Sequence, residues 1–177
     1  MALSATIYNI TVDLSDVDRH VYETLELKLA KHPSEAVEYM VARLLAYCLE
    51  YTEGIELTQG VSAGDEPAVM VRDLTGRITA WIEVGAPDAE RLHRASKAAG
   101  RVAVYTHRDP RLMAAQLEGK KIHRREDLEV IILDRGLVGN IGERLDRRTA
   151  ISISVHDRHL YATIGDETFD AELSRIP

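Results

Sequence analysis

Between residues 35 and 106 the apolar periodicity changes in an order that few folds accommodate. A helical stripe of Val37, Val41, Leu44, Leu45 and Cys48 gives way to three short strand-like stretches near 55–60, 68–73 and 78–84. A helix near 88–99, opening at "APDAE", and the apolar run "RVAVYT" follow. Buried helix positions recur every 3.6 residues and buried strand positions every two. The series therefore reads helix, three-strand meander, helix, strand, which predicts a layered α/β domain with a mixed sheet. "HPSE" opens the first helix, with Pro33 or Ser34 at its start and Glu35 and Glu38 in its first turns.

The flanks add strands. "TIYNITVDL" and "YETLELKLA" alternate around the polar "SDVDRH" and predict an N-terminal hairpin. A helix near 110–118, the strand "LEVIIL" and a helix around 137–146 follow the core, and "TAISISV" with "HLYATIG" predicts a closing hairpin. No linker or repeat interrupts the series, so residues 1–177 are expected to form one domain with a substantial core.

Composition removes several classes of function. The chain has 29 acidic and 22 basic residues, a formal charge of −7, which argues against wholesale wrapping of nucleic acid or docking on anionic lipid. A local basic patch remains open, and "KKIHRR" at 120–125 suits either phosphate contact or a solvated loop. No apolar run approaches the roughly 20 residues of a membrane helix, and "MALSATIYN" lacks the pattern of a secretory leader. Cys48, the only cysteine, lies in the helical run "LLAYCLEY", where an inert buried thiol is expected. A cytoplasmic protein is the expectation.

The strand "RITAWIEV" raises a chemical question. Ile78, Ala80, Ile82 and Val84 share one face, whereas Thr79, Trp81 and Glu83 share the other. A carboxylate in mid-sheet costs several kcal/mol unless it is paired or coordinated. "RDLTGRI" predicts a hairpin with Thr75-Gly76 as its central pair, and a two-residue turn places Glu83 opposite Ala68 and Gly85 opposite Glu66. Glu66 and Glu83 are then diagonal neighbours with Cβ atoms about 7 Å apart. Two carboxylates at that range suit Mg²⁺ or Mn²⁺, and Asp65 in "SAGDEP" offers a third oxygen.

The set "HPSE", "GDEP", "DLTG" and "WIEVGAPD", with a terminal "ATIGD", resembles the YaeQ family over essentially the whole chain. That family is a bacterial branch of the PD-(D/E)XK phosphodiesterase superfamily, whose core is helix, three-strand meander, helix, strand. The resemblance implies a Mg²⁺-dependent phosphodiesterase or nuclease-like activity on nucleic acid. Glu83 matches the third-strand acid of the metal site and Glu35 the first-helix acid. Two positions depart from the pattern. Where the family commonly has Asp-Glu-Pro-Asp, this chain has Asp65-Glu66-Pro67-Ala68, so Asp65 or Glu66 would have to supply the missing ligand. The catalytic lysine position is Gly85, which leaves Arg94 or Lys97 of the next helix as substitutes. Arginine cannot act as a base, so Lys97 is the candidate, with Gln116 near a position where the family often has glutamine. The expected metal ligands are thus Glu35, Asp65, Glu66 and Glu83, and the expected catalytic residues Lys97 and Gln116. The alternative is a catalytically degenerate module that binds nucleic acid or a protein.

Two further patterns carry less. Gly136, Gly139 and Gly142 follow "EVIIL" but lack the spacing of a nucleotide-binding loop. His156 and His159 flank an expected hairpin turn at Asp157-Arg158 and make a weaker candidate for zinc.

Overall fold

The computed structural model describes residues 4–59 and 65–176. In chain order, β1 (Thr6–Asp16) and β2 (Val21–Lys31) precede α1 (Val37–Leu49). The meander β3 (Ile55–Leu57), β4 (Val69–Arg72) and β5 (Ile78–Val84) leads to α2 (Ala89–Ala98) and β6 (Arg101–Thr106). Then come α3 (Pro110–Leu117), β7 (Glu129–Ile132) and α4 (Arg135–Arg144). Four strands end the chain: β8 (Arg148–His156), β9 (His159–Ile164), β10 (Glu167–Glu172) and β11 (Ser174–Ile176). The order expected between residues 35 and 106 is present.

The strands form two mixed sheets, ordered β10-β9-β8-β1-β2 and β11-β7-β6-β5-β4-β3. The two flanking hairpins are not separate additions. They merge because β1 lies parallel to β8, with Asn9 opposite Arg148 through Asp16 opposite Val155. β10 and β11 lie beyond the hairpin expected to close the chain; β10 extends the first sheet and β11 pairs with β7 in the second.

α1 lies within the core that joins the two sheets. From Met40 to Leu49 every residue except Tyr47 is buried, and the same apolar cluster contains Val12 and Ile153 of one sheet and Ile82 and Ala103 of the other. A helix apolar on nearly all sides is stable only when covered all round. On the far face of the second sheet, Leu92 and Ala95 of α2 and Met113 and Leu117 of α3 cover Val102, Val104 and Val130. Aspartates start these outer helices: Asp88 caps α2 by accepting from the Arg91 N–H at 2.8 Å, and Asp109 caps α3 ahead of Pro110.

Two local expectations are corrected. α1 starts at Val37, not at Pro33 or Ser34, because residues 32–35 form a turn of their own. In that turn the Glu35 N–H donates to the His32 carbonyl at 2.9 Å, and Glu35 Oε2 accepts from the His32 N–H at 3.1 Å. Glu35 therefore precedes the first helix. The β4–β5 turn has three residues, not two: Asp73 and Arg77 close it, the Gly76 N–H donates to the Asp73 carbonyl, and Gly76 takes φ +85°. That loop alone would shift the pairing by one residue. A bulge absorbs the shift, since Arg72 pairs with Ile78 but Val71 pairs with Ala80, leaving Thr79 unpaired. From Val69 to Val71 the register is the expected one, with Val69 opposite Ile82, and its continuation sets Ala68 against Glu83.

Candidate functional site

The site is built where β5 ends. Glu83 is 3% exposed, and its Oε1 accepts two hydrogen bonds, from Trp81 Nε1 at 2.6 Å and from Arg91 Nε at 2.7 Å. Trp81 and Glu83 share a strand face, so the indole lies within reach of the carboxylate. Arg91 reaches it because the Asp88 cap fixes where α2 begins, placing Arg91 in the first turn above the strand end. A second arm of the same guanidinium, Nη2, donates to the Glu66 carbonyl at 2.6 Å. The cation beside Glu83 is thus a protein side chain that ties β5 to the segment before β4.

Glu35 has a comparable arrangement. It is 3% exposed and lies 3.6 Å from Nη1 of Arg43, itself 1% exposed. Burial is the main influence on the Glu35 carboxyl and raises its pKa, while Arg43 pulls it back. Tyr39 feels both ion pairs: burial raises its phenol pKa first, Glu83 and Glu35 add to the rise, and Arg43 and Arg91 oppose it. The Tyr39 ring also faces Gly85, where an added Cβ would lie 3.7 Å from Cε2. Gly85 takes φ +87°, a conformation that lysine adopts only under strain. The backbone thus has its own reason for glycine at position 85.

Of the expected site residues, Glu35 and Glu83 are buried and Asp65 and Glu66 are exposed. Glu66 meets Arg91 through its backbone carbonyl. Lys97 is exposed on α2 and Gln116 is exposed on α3. Among the described residues, no three His, Cys, Asp or Glu side chains gather where they could hold a metal ion. A donor set in which both buried carboxylates already face guanidinium groups does not fit Mg²⁺ or Mn²⁺ in this arrangement.

The residues missed by the sequence reading are the two arginines. Arg43 interrupts the apolar run "MVARLLA", and a lone arginine there signals a buried carboxylate partner. Arg91 was legible from the Asp88 cap, which sets its place three residues into the helix. Cys48 matches its expectation: burial pushes its thiol up to about 12, too high to leave useful thiolate at neutral pH.

Basic groups gather on the outer face of α2. His93 Nδ1 accepts from the His123 N–H at 3.1 Å, and the two imidazoles meet edge to face with centroids 6.5 Å apart. The His93 pKa is lowered, by burial first and then by Lys97, Lys121 and His123 around it. Arg94 is exposed on the same helix, and Lys120 is exposed in the loop. The two arginines of "KKIHRR" are structural: Arg124 donates to the carbonyls of Ser96 and Ala99 at the end of α2, and Arg125 donates to those of Leu117 and Lys120 at the end of α3.

The profile of the YaeQ protein family matches residues 1–173. The chain belongs to the YaeQ family. It is 38% identical over 151 residues to "Uncharacterized protein YaeQ" of Salmonella typhi, covering 83% of this chain and 82% of that one. With the YaeQ protein of Escherichia coli (strain K12), identity is 43% over 107 residues, 60% of this chain and 59% of the other. The YaeQ crystal structure from Pseudomonas syringae superposes with a TM-score of 0.88 at 27% identity, covering 98% of this chain and 96% of that chain. The YaeQ structure from Xanthomonas axonopodis pv. citri gives a TM-score of 0.87 at 28% identity, covering 97% and 98%. The two-sheet architecture is therefore that of YaeQ proteins. No helix among the described residues is long and apolar enough to cross a membrane.

Proposed function

We propose that this YaeQ-family chain binds the sugar–phosphate backbone of nucleic acid on the outer face of α2, using a phosphodiesterase-like core as a binding module. The carrying observation is the grouping of Lys97 and Lys121 around His93, with Arg94 nearby, on a chain whose formal charge is −7. Cations concentrated on one face of an acidic protein attract a polyanion locally while the rest of the surface repels it. Arg91 supports binding over cleavage, because it occupies Glu83 with a charge that cannot activate water.

The rival is Mg²⁺-dependent phosphodiester cleavage, which the PD-(D/E)XK resemblance implies. It requires Arg91 to leave Glu83, with Asp65 or Glu66 completing the ligands. One experiment separates the two. Fluorescently labelled single- and double-stranded DNA and RNA are titrated with the protein over a salt series, with and without Mn²⁺. Binding should weaken linearly on a log–log salt plot, and Lys97→Ala with Lys121→Ala should lower the slope by about two, near one per lost phosphate contact. Absence of binding at low salt rejects the proposal. Mn²⁺-dependent cleavage that disappears in Glu83→Gln establishes the rival.

A further inference from the structure

α4 carries glycine at 136, 139 and 142, and the fold accounts for only two of them. A Cβ at Gly142 would lie 2.9 Å from Val37 Cγ1, so its absence lets α1 and α4 approach closely. A Cβ at Gly136 would lie 3.1 Å from Asp134 Oδ1, the atom that caps α4 by accepting from the Leu137 N–H at 2.8 Å. Gly139 has neither reason: nothing stands within 4 Å of the Cβ it lacks, and its φ is not in the left-handed region. Glycine inside a helix costs about 1 kcal/mol relative to alanine. What the missing side chain leaves at Gly139 is open space.

That space belongs to a cavity of about 290 Å³ whose walls include Ala36, Glu38, His107, Arg108, Arg135 and Gly139. It lies beyond the carboxyl ends of the parallel strands β6 and β7, the end at which α/β sheets receive ligands. Among the described residues neither Arg108 nor Arg135 has a carboxylate within ion-pair distance, although Glu38 stands on the same wall. His107 Nδ1 is buried without a hydrogen-bond partner. The walls thus offer two uncommitted guanidinium groups against one carboxylate, with room beside them. Guanidinium forks match the oxygens of a phosphoryl group in geometry as well as charge.

We propose that this cavity binds a small phosphate monoester, with its phosphoryl oxygens held by Arg108 and Arg135 and its organic part in the space over Gly139. The site lies on the α1 and α4 side of the sheet, opposite the α2 face, so it does not depend on the nucleic-acid reading.

The test is calorimetric titration at constant ionic strength with inorganic phosphate and with glycerol phosphate, using acetate for comparison. Parent protein should bind both phosphates saturably and more tightly than acetate. Arg108→Gln and Arg135→Gln should each weaken binding about tenfold or more, the loss expected for one charge-assisted hydrogen bond. Gly139→Leu fills the space without changing any charge, and it should weaken glycerol phosphate more than inorganic phosphate. Arg77→Gln, which removes the same charge from the β4–β5 turn, should leave both affinities unchanged. No saturable binding by the parent, or equal affinities in Arg135→Gln, Gly139→Leu and Arg77→Gln, overturns the proposal.

Discussion

Glu35 and Arg43 face each other almost wholly out of water, yet Glu35 Oε1 and Arg43 Nε and Nη1 have no hydrogen-bond partner. A buried pair with such incomplete bonding gains less from attraction than it loses in hydration. The sign of the Glu35 shift agrees, because burial outweighs Arg43 and holds the carboxyl above its ordinary pKa. The native state therefore binds this proton more tightly than the unfolded chain does. The resulting cost is absent below the unfolded carboxylate pKa, grows as pH rises toward the folded pKa, and is complete above it. Urea midpoints measured over a pH series should show the parent losing stability across that window relative to Glu35→Gln; parallel curves would contradict the shift. Removing the other charge acts differently. Arg43→Met should cost about 3–5 kcal/mol at neutral pH by leaving a carboxylate buried alone, and Glu35→Gln added to it should recover most of the loss. Strictly additive effects in that cycle would show that the two groups do not interact.

At the scale of elements, Arg91 connects three pieces of chain: α2, which carries it, β5 through Glu83, and the segment before β4 through the Glu66 carbonyl. Arg91→Ala should lower the unfolding free energy by about 2–3 kcal/mol, within the range for hydrogen bonds to charged groups. It should also speed hydrogen exchange in β4 and at the start of α2, and unchanged exchange there would mean the tie is not structural. The elements themselves were legible wherever periodicity was strong: β1, β2, β5, β6 and α2 fall close to their expected positions. β10 and β11 were not, because "ETFDAE" and "SRI" offer too few apolar positions to reveal a period. The start of α1 was misread because Ser34 and Glu35 look like a helix opening, whereas Glu35 folds back on His32. The β4–β5 register came out correctly from the wrong turn, since the extra loop residue and the Thr79 bulge cancel. The candidate site was half legible. Mid-sheet placement identified Glu83 and the need for a partner, and the structure supplies one that spacing did not reveal, an arginine eight residues later. A carboxylate pattern describes demand for positive charge; it does not specify the supplier.

At the scale of the whole molecule, the chain crosses from one sheet to the other after β10. The Leu173 N–H donates to the Arg158 carbonyl at 2.7 Å, and β11 then pairs with β7, with Arg175 3.6 Å from Glu129. Those three residues cover the edge of β7, a strand with Val130 and Ile131 at its centre. A variant ending at Leu173 should unfold at lower urea and self-associate, because an uncovered apolar edge is a template for further pairing. Light scattering against concentration is the check, and a monodisperse truncated protein would show that β11 is dispensable.

The parallel pairing of β1 with β8 has a consequence for the order of events on the ribosome. Asn9 cannot meet Arg148 until every residue between them has been made. At about 5–20 residues per second, that delay is on the order of ten to thirty seconds. Throughout it, the backbone edge of β1 that later pairs with β8 is without its partner strand. Closing so long a loop is entropically costly, so docking of the first hairpin beside β8 belongs among the late steps to native structure.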